Sequence, residues 1–313
     1  MAANLDAFVS KRSTAHPMIY AYSDSNPAYS GLLKVGFTSV DIDARVAQQY
    51  PTKRPDGSVP YRIVVRESAM LEDGGSFTDR EVHKMLRLKG FECVGGEWFR
   101  CGAEDVVAAV IAVRTGTANV ENRTQSFKMR PEQEKAVNRT TEYYRSAYEE
   151  NSVRAPKFLW NAKMRFGKTF AAYQLAKRMG MTRILILTFK PAVQTAWRDD
   201  LLSHVDFEGW QFISNDSKAK IDSQYHRANK DRPIVCFGSF QDFLGENGTG
   251  GIKTKNEWVH AINWDLVIFD EYHFGAWKEN AKSLFEQDED VFEEDLSRYD
   301  RYDAYDETWL PIT

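Results

Sequence analysis

The chain has 313 residues, 42% of them hydrophobic and 13% aromatic, enough to bury about two cores and too apolar for a disordered protein. No apolar run approaches the ~18 residues of a membrane-spanning helix, so no membrane partner is expected. The formal net charge of −4 excludes a uniformly basic nucleic-acid binder.

The start, Met1 to Asp6, has no basic and apolar leader, so no secretion signal is expected. Pro17–Tyr22 reads as a strand, a Ser/Asn/Pro/Gly loop follows, and Gly31–Phe37 reads as a second strand. Asp41–Tyr50 then predicts a helix carrying Arg45, Tyr61–Arg66 a third strand, and Thr78–Leu88 a second helix carrying Glu81 and His83. The pattern predicts a small three-stranded α/β domain over residues 1–115. Cys93, Cys101 and Cys236 show neither zinc-ligand spacing nor a disulfide framework, which fits packing residues in a reducing cytoplasm.

Thr115–Ser126 is polar and aperiodic, so residues 116–127 are expected to connect two domains. Pro131 suits the first turn of a helix running to Glu150. Lys157–Trp160 reads as a buried strand, and the spacing from Thr169 to Ala176 predicts a helix packed on a sheet. Between them lies Gly167-Lys168-Thr169. A strand turning tightly into a helix leaves backbone N–H groups and a positive dipole end facing outward, which suits phosphate. Lys168 would reach the β- and γ-phosphates and Thr169 would hold Mg2+. The stretch departs from the Walker A pattern at Ala162, where a glycine is expected; the turn tolerates alanine if that position needs no positive φ.

Ile184–Thr188 and Ile234–Ser239 read as further strands, and Trp264–Asp270 as a buried parallel strand ending in Asp270 and Glu271. Acids at such an edge face the ligand side of an open α/β sheet, so Asp270 is expected on Mg2+ and Glu271 on the attacking water. Asp270 lies 102 positions after Lys168, room for several βα units. Eleven acids and two arginines between Glu286 and Glu307 give that stretch a local −9 and leave the rest of the chain at +5. The acidic tail, 286–313, reads as a solvated linker or as a DNA-mimicking, regulatory segment, and the mildly basic body suits local DNA contact.

Two resemblances follow. Residues 128–285 resemble the first RecA-like domain of a superfamily 2 helicase of the DEAD/DEAH-related kind. Met129-Arg130-Pro131-Glu132-Gln133 is similar to its glutamine motif, and the stretch from Ile184 to Pro191 followed by Gln194 and Trp197 to the motif that touches the nucleic-acid backbone. The resemblance implies ATP bound by Gln133, Gly167, Lys168, Thr169 and Asp270. Such motors bind ATP between two RecA-like domains, so the chain is expected to be the front part of a longer motor or to be completed by a second lobe in trans.

Residues 1–115 resemble the GIY-YIG nuclease family in its phage-associated branch. Met18-Ile19-Tyr20 stands for the first motif, Lys34-Val35-Gly36 for the second with lysine replacing tyrosine, and Glu97-Trp98-Phe99 for the closing strand. The resemblance implies one Mg2+ on Glu81, a reacting Tyr20, and Arg45 on the phosphate. These side chains make chemical sense as base, metal ligand and cation for phosphodiester attack. Lys34 would assist the tyrosine or a phosphate oxygen. His83, two residues from Glu81 and on a different helix face, either orients the site or caps a core. The resemblances together imply a Mg2+-dependent endonuclease on double-stranded DNA joined to an ATP-binding motor lobe, in the cytoplasm of a bacterial or phage-infected cell. The alternative is an ATP-responsive DNA-binding module that does not cut. Trp98, Trp197 and Trp210 are expected in cores rather than on bases.

Overall fold

Tyr20 and Tyr22 alternate with Ile19 and Ala21 along β1 (Met18–Asp24), so both faces of this strand carry apolar bulk and the strand must lie inside a sheet. The computed structural model describes residues 16–52, 54–71, 73–151, 155–188, 191–215, 219–243 and 256–270. Contacts divide the chain into two units: one takes the chain to Ser126 together with Ser203–Glu208, the other Phe127–Leu202 and the chain from Gly209.

In the first unit β1 pairs antiparallel with β2 (Leu33–Thr38) and β3 (Tyr61–Ser68). The sheet is five-stranded, in the order β3-β1-β2-β5-β4, because the short β4 (Cys93–Gly95) and β5 (Trp98–Phe99) extend the three expected strands. Two and three residues are too few to carry a period-2 signal; pairing with Leu33 and Lys34 makes β5 a strand.

One face packs Ile19, Ala21, Val35 and Val65 against Val82 and Leu86 of α2 (Asp79–Leu88) and Val106, Ala109 and Val110 of α3 (Ala103–Thr115). The other face packs Tyr20 and Tyr22 against Ile42 and Val46 of α1 (Ile42–Ala47), with Tyr50, Tyr61, Ile63 and Trp98 around them. Local signals set the helix starts. Asp41 accepts from Ala44 N–H at 2.8 Å ahead of α1, and Thr78 and Glu81 form a reciprocal capping box ahead of α2. The polar stretch after α3 is tightly held: Asn119 and Arg123 are buried, and Asn119 Nδ2 donates to Ala108 O at 3.0 Å.

The second unit holds a parallel sheet in the order β7-β8-β6-β9, built from β6 (Arg183–Thr188), β7 (Gln211–Ser214), β8 (Ile234–Ser239) and β9 (Leu266–Asp270). In register, Thr188 lies beside Ser239 on one side and Asp270 on the other, so three polar residues end neighbouring strands. Helices α4 (Pro131–Glu150), α5 (Lys168–Arg178) and α6 (Gln194–Ser203) belong to this unit. Pro131 stands at the first turn of α4, as the sequence predicts. The fold class is the one expected, an antiparallel α/β domain followed by a parallel-sheet α/β domain.

Two expectations are corrected here. Lys157–Trp160 is not a strand: Leu159 is exposed, and the aromatic side chains pack along α4 instead. Trp160 Nε1 donates to Thr140 Oγ1 at 2.8 Å, and the Phe158 ring lies 5.4 Å from that of Tyr143. The amphipathic face of α4 offers these rings a better seat than a sheet position. Second, β9 pairs with β6 alone among the described residues and is only partly buried, so it is an edge strand there. Among the described residues no helix is long and apolar enough to cross a membrane.

Candidate functional site

In the first unit, antiparallel register pairs Tyr20 with Gly36 and Tyr22 with Lys34, which puts the two tyrosines and the lysine on one face. Gly36 is required there by space: a Cβ would fall 2.6 Å from Tyr20 Cζ and from its hydroxyl. The tyrosine ring lies across the bare glycine, which explains why the first motif's aromatic stands opposite the second motif's glycine.

The polar ends of this face meet at Gln49. Its Nε2 donates to the Tyr20 hydroxyl at 3.0 Å, and its Oε1 accepts from the Tyr22 hydroxyl at 2.8 Å and from Lys34 Nζ at 2.5 Å. Lys34 also pairs with Glu97 at 3.4 Å. Burial pushes the Tyr22 hydroxyl up to about 12, so it stays a proton donor at neutral pH. Sequence reading missed Gln49, although a signal existed: Ile42, Val46 and Gln49 share the helical spacing that puts them on one face.

Glu81 and Arg45 are exposed, and neither is joined by a hydrogen bond or ion pair to Tyr20 or Lys34 among the described residues. Glu81 Oε2 accepts from the Thr78 hydroxyl at 2.6 Å and from Thr78 N–H at 2.8 Å, and these bonds hold its carboxyl below the usual range. Its other oxygen accepts nothing among the described residues. His83 is buried, with Nε2 2.8 Å from Val35 O and its ring 5.0 Å from that of Phe99. It packs in the core on the sheet face opposite Tyr20, so of its two expected roles the structure gives it the core one. No cluster of three or more His, Cys, Asp or Glu forms a ready metal cage among the described residues. A single carboxylate with one uncommitted oxygen still fits Mg2+, which keeps much of its water and takes its remaining ligands from phosphate.

In the second unit, Gly167 precedes α5 in the left-handed region (φ 76°), and Arg165 also has positive φ (65°), whereas Ala162 does not. The turn thus spares the position where glycine is missing. Phe166 between them is buried against Ala136, Val137, Ala171 and Leu175, anchoring the loop. Its carbonyls face α4. Gln133 Nε2 donates to Phe166 O at 2.8 Å and Gly167 O at 3.2 Å, and Arg130 donates to the carbonyls of Arg165, at 2.8 Å, and Phe166. Gln133 Oε1 accepts from Arg130 N–H at 2.9 Å. Both amide N–H groups of Gln133 are therefore spent on the loop; in this arrangement it braces the loop and has none left for adenine. The positive φ of Gly167 favours glycine, and a Cβ there would fall 2.5 Å from Gln133 Nε2 and push that amide off the loop carbonyls.

Lys168 and Thr169 begin α5 with side chains that bond nothing among the described residues. With carbonyls turned to α4 and the helix start open, this loop fits a nucleotide phosphate. Asp270 ends β9 and accepts from Trp197 Nε1 at 2.9 Å. Glu271 and the acidic tail lie outside the described residues. Trp197 and Trp210 are buried and Trp98 is half-buried, all in packing roles.

Comparison with known proteins matches residues 18–114 to the T5orf172 domain and residues 126–294 to the family described as type III restriction enzyme, res subunit. Over 136 residues the chain is 38% identical to the putative type II restriction enzyme and methyltransferase RM.MpnORF110P C-terminus of Mycoplasma pneumoniae, covering 42% of this chain and 18% of that protein. It is 26% identical over 141 residues to the RNA polymerase-associated protein RapA of Yersinia pestis and, equally, of Yersinia pseudotuberculosis, covering 44% of this chain and 14% of either protein. The chain thus spans less than a fifth of the length of these relatives. No solved structure matches it.

Proposed function

This chain belongs to the family of the type III restriction enzyme res subunit, and from that footing we propose that it joins a Mg2+-dependent DNA endonuclease module to an ATP-binding motor lobe. It is a restriction-type protein, with a T5orf172 nuclease-like domain ahead of a res-type helicase domain. The observation that carries the cutting role is the pairing of Tyr20 with Gly36 and of Tyr22 with Lys34, which sets a tyrosine and a cation together on one sheet face.

In this reading Tyr20 and Lys34 orient the attacking water and a phosphate oxygen. Arg45, exposed on α1, neutralises the scissile phosphate, and Glu81 offers its uncommitted oxygen to Mg2+. The metal supplies Lewis-acid polarisation of the phosphate when bound. In the second unit Lys168 and the N–H groups opening α5 would hold the nucleotide phosphates, and Thr169 and Asp270 would hold the accompanying Mg2+. Glu271 follows Asp270 directly in sequence and is assigned to the hydrolytic water. Turnover is expected to need a second RecA-like lobe, in the same protein or in trans.

The partner is double-stranded DNA, and the test is plasmid nicking. The full chain with Mg2+ and no ATP should convert supercoiled plasmid to open circles, and Tyr20→Phe and Glu81→Ala should each abolish this. DNA binding without nicking, in Mg2+ and in Mn2+, would leave an ATP-responsive binding module. The burial of Tyr20, 2% exposed, favours that second reading and makes the experiment decisive.

A further inference from the structure

Lysine is a pure donor, so the Gln49 atom facing Lys34 Nζ must be the carbonyl oxygen. The Tyr22 hydroxyl, 2.8 Å from the same atom, adds a second donor and agrees with that orientation. Amide orientation is thereby decided by chemistry, and Nε2 is left to face the Tyr20 hydroxyl at 3.0 Å. Tyr20 must accept there. Its own proton is given to no group among the described residues, although the residue is only 2% exposed. A buried hydroxyl with its proton uncommitted costs free energy unless something else takes it.

We propose that Gln49 is a positioning residue for cleavage: it relays the Lys34 and Tyr22 donors into a fixed acceptor role for the Tyr20 oxygen, keeping the Tyr20 proton for the substrate side. This rests on the nuclease reading above. The relay also gives Lys34 a use in the place of the family tyrosine, since an ammonium fixes the amide without ambiguity whereas a hydroxyl could donate or accept.

The experiment measures plasmid nicking by the full chain with Mg2+ across plasmid concentrations, for wild type, Gln49→Glu, Gln49→Leu, Tyr20→Phe and the double variant Tyr20→Phe/Gln49→Glu. Gln49→Glu keeps the volume and the pairing with Lys34 but removes the donor to Tyr20. Both single Gln49 variants should lose about 10–100-fold in kcat with KM within about twofold, the loss expected for one hydrogen bond that orients a reacting group. In the Tyr20→Phe background Gln49→Glu should add less than about twofold, because the two act as one unit. A Gln49→Glu enzyme within about threefold of wild type, or a full additional loss in the double variant, overturns the proposal while leaving the nuclease reading intact. An inert wild type in both Mg2+ and Mn2+ overturns the nuclease reading, and the positioning role with it.

A second measurement does not depend on activity. In a 15N spectrum the Gln49 side-chain amide, identified by its loss in Gln49→Glu, should shift in Tyr20→Phe and stay in place in Tyr143→Phe. No shift in Tyr20→Phe would mean that the bond is absent and the relay wrong.

Discussion

Trp197 Nε1 donates a hydrogen bond to Asp270 Oδ2 at 2.9 Å, and the Tyr173 hydroxyl donates to Trp197 O at 2.9 Å with the two rings edge to face. Tyr173 lies on α5, the helix that opens at Gly167. One tryptophan on α6 thus ties the helix that opens at Gly167 to the acid that ends β9. Trp197→Phe removes the donor and part of the buried ring that packs on Tyr173, so its thermal transition is measured beside its binding. Calorimetry should show Mg2+–ATP binding about 10–100-fold weaker, as for loss of a residue that orients a metal ligand, with Mg2+-free nucleotide binding little changed.

Gly167→Ala should weaken nucleotide binding by about tenfold or more. A left-handed alanine costs about 1–2 kcal/mol, and its methyl would displace Gln133 from the loop carbonyls. Binding of a fluorescent ATP analogue checks this, and ATP-independent plasmid nicking should survive because the lesion lies in the other unit.

Gly36→Ala should act in the opposite way. Its methyl meets the Tyr20 ring, which is wedged under Ile42 and Val46 and cannot retreat. Overpacking of this kind costs about 1–3 kcal/mol, so the thermal transition of the first unit should fall and nicking should be lost while nucleotide binding persists.

Thr78→Ala removes the hydroxyl that Glu81 accepts from, and should cost about 0.5–2 kcal/mol at pH 7. The folded-state pKa of Glu81 lies below its ordinary 4.5, so this contribution is complete above that value and is lost as pH falls through the lowered one. The stability difference between wild type and variant should therefore shrink in acid, read by denaturant titration across pH. A difference that stayed constant through the acid range would show that the carboxylate is not part of it.

Much of the fold was readable because its signals are local. Asp41 and Thr78 mark helix starts within four residues, Pro131 marks another, and the alternation in β1 marks a strand with two buried faces. The strand expected at Lys157–Trp160 failed on the same ground: four apolar residues say that a segment is attracted to something apolar, and Thr140 and Tyr143 on α4 supplied it. Strand β4 carries no signal of its own because it is made by pairing with β5, and β5 was legible only through the resemblance at Glu97-Trp98-Phe99.

The sequence by itself determined which reactive side chains and short motifs the chain offers, since Gly167-Lys168-Thr169, Tyr20 and Lys34 are fixed by identity and short spacing. Only the tertiary structure decided what these groups do to one another. Gln49 reaches Tyr20 across 29 positions, Gln133 reaches Gly167 across 34 and Trp197 reaches Asp270 across 73. A hydrogen bond needs its two atoms within about 3 Å, and over such separations only the packing of strands and helices can bring them there.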